Sequence, residues 1–369
     1  MAGIFRTFFA FALGIVLSVL ALELCFRVLP VNRGLVRVDP PTLWPLENYR
    51  PGSRYSYSKD WALKNPHSGR SNNYGHLANF DYAKGQAYVA VIGDSYIEAR
   101  MNDYQDTLQA QLGELLNAPQ RVYGLGANGL SMADYLVLSR LAADEFTPKA
   151  FVYALVDNDL SEAVVPRKGW HHFAGDMAWP RYVPEREGGR TRLNDLLAES
   201  SLYRYLKGNL GFSVDKLFAA SAQTGSPEPS GRDDREPEVR RAIDRFLQVL
   251  PEVTHLPPQC HVFLLDGDRY KLYDAKRAEL PVDSVGLRQY FLERARAAGY
   301  PVVDLGPLFA AEYARSGMKL DYHPDDRHWN RHGHGVAARA AEQALASKAG
   351  ACPGVPTASG AHRVSSEAR

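Results

Sequence analysis

Ser95 ends the stretch Val91-Ile92-Gly93-Asp94-Ser95, which sets its hydroxyl on a tight turn after an apolar run, a place where a serine can act as a nucleophile. A serine needs a base to take its proton, and the base needs a carboxylate to orient it. Both residue types occur far downstream in Asp325-Asp326-Arg327-His328-Trp329-Asn330, where His328 has carboxylates two and three positions before it. Attack on an ester carbonyl also builds negative charge on the former carbonyl oxygen, so donors must be aimed at it in advance. The backbone N–H groups of Ser95 and Gly126 and the side-chain amide of Asn158 are the candidates. Glycine allows close backbone approach, and an amide donates without titrating.

Each of these residues also has a plainer reading. Gly-Asp-Ser is ordinary strand-to-helix punctuation, Gly126 can simply relieve a turn, and Asn158 can cap the helix that follows its strand. For His323, His332 and His334 a satisfied surface or core position is the preferred reading. A metal site built from these histidines with Asp325 and Asp326 is a competing arrangement. It lacks the helical His-Glu-x-x-His spacing, and no metal is expected. Gly124-x-Gly126-x-x-Gly129 follows a strand without the acidic partner of a dinucleotide site, so no cofactor is expected.

In their order along the chain these residues resemble the SGNH/GDSL hydrolase superfamily, over about Tyr74 to Leu345 and least between Ser161 and Leu256. Gly93-Asp94-Ser95 matches the first block, with Tyr96 where leucine is common. Within Val122 to Gly129, Gly126 fits the glycine of the second block. Val156-Asp157-Asn158-Asp159 matches the third, Gly-x-Asn-Asp, with valine in place of glycine. Asp325 to His328 matches the commoner last block, Asp-x-x-His, while the Asp-x-His of some relatives selects Asp326. The resemblance implies a doubly wound, flavodoxin-like α/β fold and a Ser-His-Asp triad of Ser95, His328 and Asp325 or Asp326. It also implies an oxyanion hole of Ser95, Gly126 and Asn158. The activity implied is that of a serine esterase or O-acyltransferase, with an acylated carbohydrate or other envelope ester as substrate. A lipid-directed esterase and a noncatalytic glycan-binding or assembly protein are the alternatives.

The elements that must position these residues follow from hydrophobic pattern. Strands are expected at Ala87 to Ile92, Arg121 to Gly124, Ala150 to Leu155, His261 to Leu265 and Pro301 to Asp304. Helices are expected at Asp106 to Leu116, Ser131 to Ala143, Glu238 to Leu250, Val285 to Ala298 and His332 to Ala346. This alternation, with continuous apolar strands, is the pattern of a parallel sheet covered on both faces. The hydrolase-like domain is expected over 85–350 with an insert at 161–256, after an irregular arm at 31–84. Ser221 to Glu238 reads as a mobile loop and 351–369 as a disordered tail. Trp170-His171-His172-Phe173, Trp179 and Tyr182 in the insert suit either a platform for sugar rings or the small core of a lid.

The N-terminal 1–30 segment sets the compartment. From Phe8 to Leu22 the residues are apolar or small, with Arg6 before them. The length lies between a signal-peptide core of about 7–15 residues and a full span of about 20. Without an Ala-x-Ala-like cleavage site, an uncleaved single-pass anchor in the cytoplasmic membrane is expected, with Arg6 inside and the domain in the periplasm or outside. Of the 369 residues, 43 are basic and 42 acidic, so overall charge favours no nucleic-acid partner. Of three cysteines, Cys25 belongs to the anchor, and Cys260 and Cys352 can pair in an oxidising compartment.

Overall fold

The computed structural model describes residues 2–35, 37–38, 48–184, 197, 199–212, 235–274, 282–348 and 350–355. The chain divides into two compact units. The larger comprises Arg37–Ser53, Gly69–Arg186 and Glu228–Arg369. Its centre is a five-stranded parallel sheet of β1 (Val89–Gly93), β2 (Val122–Gly126), β3 (Ala150–Leu155), β4 (His261–Leu265) and β5 (Val302–Asp304). The strand order is β2-β1-β3-β4-β5, that of flavodoxin-like doubly wound sheets.

Successive strand residues enter different layers, as the two-residue period of a strand requires. Ile92, Tyr153 and Phe263 join α4 (Met132–Phe146), α6 (Glu236–Thr254) and α7 (Val282–Ala297) on one face. Val91, Val152 and Leu264 join α3 (Leu108–Leu115), α8 (Leu305–Ser316) and α9 (Arg331–Ser347) on the other. Every residue of β1 to β4 is buried, which explains why these strands read as unbroken apolar runs.

Helix starts follow local polar chemistry. The Asp134 carboxylate accepts from Ser131 N–H at 3.0 Å to open α4, and Asn330 Oδ1 accepts from His332 N–H at 2.9 Å to open α9. Two of the long helices depart from the sequence expectation. Helix α6 runs four residues past Leu250, through Pro251, because Val249, Leu250 and Val253 keep its apolar face on the core. Helix α8 is not among the helices expected from the sequence, although Gly306 and Pro307 stand in its first turn. Asp304 caps it by accepting from Gly306 N–H at 2.9 Å, and proline is tolerated in a first turn. Cys260, at the start of β4, is bonded to Cys352 beyond α9, with the Cα atoms 5.5 Å apart.

The smaller unit comprises Met1–Val36, Arg54–Ser68 and Glu187–Pro227. It holds α1 (Ala2–Val28), most of a hairpin of Arg54–Lys59 with Lys64–Arg70, and a helical turn at Ser201–Arg204 that continues as a wider turn over Tyr205–Asn209. The arm expected to be irregular thus contains regular pairing. Within α1, Ile4–Val28 is long and apolar enough to cross a membrane. The loop expected at Ser221 to Glu238 and the tail beyond residue 355 lie largely outside the described residues.

Candidate active site

Ser95 is the first residue of α2 (Ser95–Glu98), directly beyond β1 and between the ends of β2 and β3. Strand order reverses there, and open α/β sheets place their ligands at that point. The turn is tight because both flanking strand ends are glycines in register, Gly93 beside Gly126. A Cβ on Gly93 would come within 2.4 Å of the Ile97 side chain, and one on Gly126 within 2.5 Å of the Glu98 nitrogen. Gly126 is therefore needed for the packing of α2 against β2. Asp94 caps α2 by accepting from Tyr96 N–H at 2.9 Å. Burial pushes the Asp94 carboxyl up to about 6, against hydrogen bonds from Tyr96 and Ser95 and the attraction of His328.

His328 comes from a second hairpin in which Asp321–Tyr322 pairs with Asp326–Trp329. Its Nε2 lies 2.7 Å from Ser95 Oγ, and its Nδ1 lies 2.5 Å from Asp326 Oδ1. The His328 backbone N–H also donates to Asp326 Oδ1, at 3.0 Å. In this arrangement Nδ1–H donates to the carboxylate and Nε2 accepts from the serine hydroxyl. The Ser95 hydroxyl also lies 3.2 Å from Asp94 Oδ2.

The commoner family spacing selects Asp325, but the ring is held by Asp326. Residues two apart in an extended strand share a side, so Asp326 and His328 face together. Asp325 sits in the exposed turn, where its backbone N–H donates to Tyr322 O at 3.0 Å.

The largest feature missed in the sequence is the set of contacts that fixes the hairpin. Buried Arg269, just past β4, donates to Asp266, to Asp321 Oδ2 at 3.0 Å, to the Arg327 carbonyl at 2.6 Å and to Tyr96 OH at 3.2 Å. Tyr96 OH in turn donates to the Arg327 carbonyl at 2.9 Å, and Trp329 Nε1 donates to Asp266 Oδ1 at 2.9 Å. One guanidinium thereby joins the end of β4, the residue after Ser95 and both strands of the hairpin. Burial opposes its charge, but Asp266, Tyr96 and Asp321 together hold its pKa above the ordinary value. An arginine within Asp266-Gly267-Asp268-Arg269 directly after a strand was the available signal.

The other candidates separate. Asn158 is exposed in the first turn of α5 (Asp157–Glu162) and lines a cleft with Tyr96, Asp268, Arg269 and Tyr270. The cap of that helix is Asp159, whose carboxylate accepts from Val156 N–H at 2.9 Å, so capping does not occupy the Asn158 amide. His334 is buried and neutral: burial pulls it down to about 3, and its Nδ1 accepts from Leu108 N–H at 3.1 Å. His323 packs against the Tyr270 and Tyr273 rings. In the insert, Trp170 and Trp179 pack on the core and His171 is buried 3.1 Å from Asp134.

No protein-family model matches the sequence, and no curated protein matches it. Among solved structures the chain is similar to LAE5, an alpha/beta hydrolase enzyme from the metagenome of Lake Arreo, Spain. Identity there is 15%, over 72% of this chain and 97% of that one, with a TM-score of 0.38. It is also similar to the salicylyl-acyltransferase SsfX3 from a tetracycline biosynthetic pathway, at 13% identity over 74% of this chain and 58% of that one, with a TM-score of 0.34. A further similar structure is a protein of Slackia heliotrinireducens provisionally assigned as an SGNH hydrolase, at 12% identity over 70% of this chain and 98% of that one, with a TM-score of 0.34.

Proposed function

We propose that this chain is a membrane-anchored serine esterase or O-acyltransferase in which Ser95 attacks an ester carbonyl. The observation that carries the reading is the continuous line from Ser95 Oγ through His328 to Asp326, at 2.7 and 2.5 Å. His328 takes the serine proton as the acyl-enzyme bond forms and returns it to the leaving alcohol. Asp326 holds the ring in the tautomer that leaves Nε2 free to accept. Water or an acceptor hydroxyl then releases the acyl group by the same steps in reverse. The Ser95 and Gly126 N–H groups and the Asn158 amide are assigned to the developing oxyanion.

The resemblance, together with an N-terminal span, favours an acylated carbohydrate of the cell envelope as substrate. Basic residues flank the apolar run of α1 on both sides, Arg6 before it and Arg27 and Arg33 after it, so charge alone does not orient it. The Cys260–Cys352 bond supports an oxidising compartment for the domain.

A fluorophosphonate probe should label the wild-type protein at Ser95 and leave Ser95→Ala unlabelled, with ester turnover lost in a variant that keeps its melting transition. Labelling that persists in Ser95→Ala would refute the assignment. Acyl esters supplied with water or with a sugar acceptor then distinguish hydrolase from transferase.

A further inference from the structure

The smaller unit is built around the C-terminal end of α1. Glu23 accepts from Ser200 OH at 2.8 Å, Ser201 N–H at 3.1 Å and Leu202 N–H at 3.0 Å, so it caps the turn at Ser201–Arg204. One helical turn on, Phe26 stacks on Tyr205 with ring centroids 4.2 Å apart. Just past the helix, Asn32 and Asn209 exchange hydrogen bonds with each other's segment and with Ser58 of the hairpin. Tyr205 OH donates to the carbonyl of Trp61 at the hairpin tip, at 2.8 Å.

Helix geometry fixes the depth of this assembly. From Ile4 to Leu22 the helix rises about 28 Å at 1.5 Å per residue, close to the roughly 30 Å of a bilayer's hydrocarbon core. Glu23 carries the first charge after Arg6 and must lie where hydrocarbon gives way to headgroups. The segments bonded to residues 23–32 are therefore held at headgroup level. Their composition suits that layer. Trp61 is 74% exposed, and Leu210 and Phe212 are 45% and 47% exposed. Beyond Arg6 the described residues of this unit include seven Lys and Arg against three Asp and Glu, although the whole chain is nearly neutral. Aromatic rings at the interface and cations facing anionic headgroups are both stabilising there.

We propose that the end of α1, the 54–68 hairpin and the 199–212 segment form a collar that docks on the surface of an anionic bilayer. Trp61, Leu210 and Phe212 enter the headgroup layer, with Lys59, Lys64 and Lys207 facing lipid phosphates. The proposal rests on the reading of α1 as an anchor and adds a second attachment to it.

The test uses the full chain with Cys25→Ser, carrying either Trp61→Cys or Phe212→Cys labelled with an environment-sensitive fluorophore. The protein is reconstituted in phosphatidylcholine vesicles with and without phosphatidylglycerol. Both labels should shift to the blue on moving from detergent to vesicles. Both should be quenched several-fold more by headgroup-region nitroxide lipid than by aqueous iodide, and more so when phosphatidylglycerol is present. Lys64→Glu with Lys207→Glu should remove the dependence on phosphatidylglycerol. Labels that stay open to iodide in a protein that resists alkaline carbonate extraction would overturn the collar and leave the anchor standing. Release of the protein by carbonate would overturn the anchor and the collar with it.

Discussion

The two aspartates before His328 differ in chemistry because they differ in backbone setting. Asp326 shares a strand side with the ring, whereas Asp325 occupies the turn. Asp326→Asn should lower kcat by roughly 10⁴-fold, the scale of losing the carboxylate that fixes a triad histidine, while Asp325→Asn should leave the rate near wild type. Steady-state kinetics of the two variants decide it, and equal losses would show that neither carboxylate orients the ring. Asp94 makes a prediction of a different kind. Its folded pKa, about 6, stands above the 3.8 of an unperturbed aspartate, so between those values the folded chain holds a proton that the unfolded chain has lost. This group's contribution to stability is thus greatest at low pH and falls as pH rises through that window, by about 3 kcal/mol. Asp94→Asn keeps an acceptor for the cap without the charge. Its stability relative to wild type, from denaturant titrations, should therefore increase between pH 4 and 7, and a gap that does not change with pH would contradict the account.

At the scale of elements, the reactive line joins two pieces of structure that have no strand pairing with each other, α2 and the 321–329 hairpin. Arg269 is the part they share, and its fork reaches both along with Asp266 at the end of β4. Arg269→Met should cost about 3–5 kcal/mol, because two buried carboxylates lose their cation. Arg269→Lys is more informative, since it keeps the charge without the fork. It should fold and lower kcat, as expected when the base is misplaced, and because Arg269 also lines the cleft beside Asn158, kcat and KM are read separately. A lysine variant with wild-type kcat would show that the fork does not position His328.

At the scale of the whole molecule, the disulfide ties the last helix region to the sheet. Cys260 and Cys352 are 92 residues apart, and closing a loop of that length stabilises by about 4–5 kcal/mol on the chain-entropy account. Denaturation with and without reductant, or of Cys260→Ser with Cys352→Ser, should shift the midpoint accordingly. An unchanged midpoint would mean that the bond adds nothing to stability. The smaller unit shows why overall composition concealed a surface property. A net charge of +1 averages over the chain, while basic residues concentrate in the segments around the end of α1.

The alternation of buried strands and helices, the position of Ser95 after the first strand and the apolar N-terminal span were legible in the sequence. Each depends on local periodicity or on one turn. The pairing of Cys260 with Cys352 was open in the sequence, because it depends on how near two distant Cα atoms come. The choice of Asp326 over Asp325 was also closed to sequence, because it depends on whether residues 325 to 328 form a turn and strand or a helix, and the pairing with Asp321–Tyr322 decides that. Arg269 shows the same limit more sharply. An arginine after a strand has no visible role until folding brings together the Asp266 carboxylate three residues before it, the hydroxyl of Tyr96, the carboxylate of Asp321 and the carbonyl of Arg327. Local spacing fixes which groups a segment can offer, and only the packing of segments far apart in sequence fixes which of them meet.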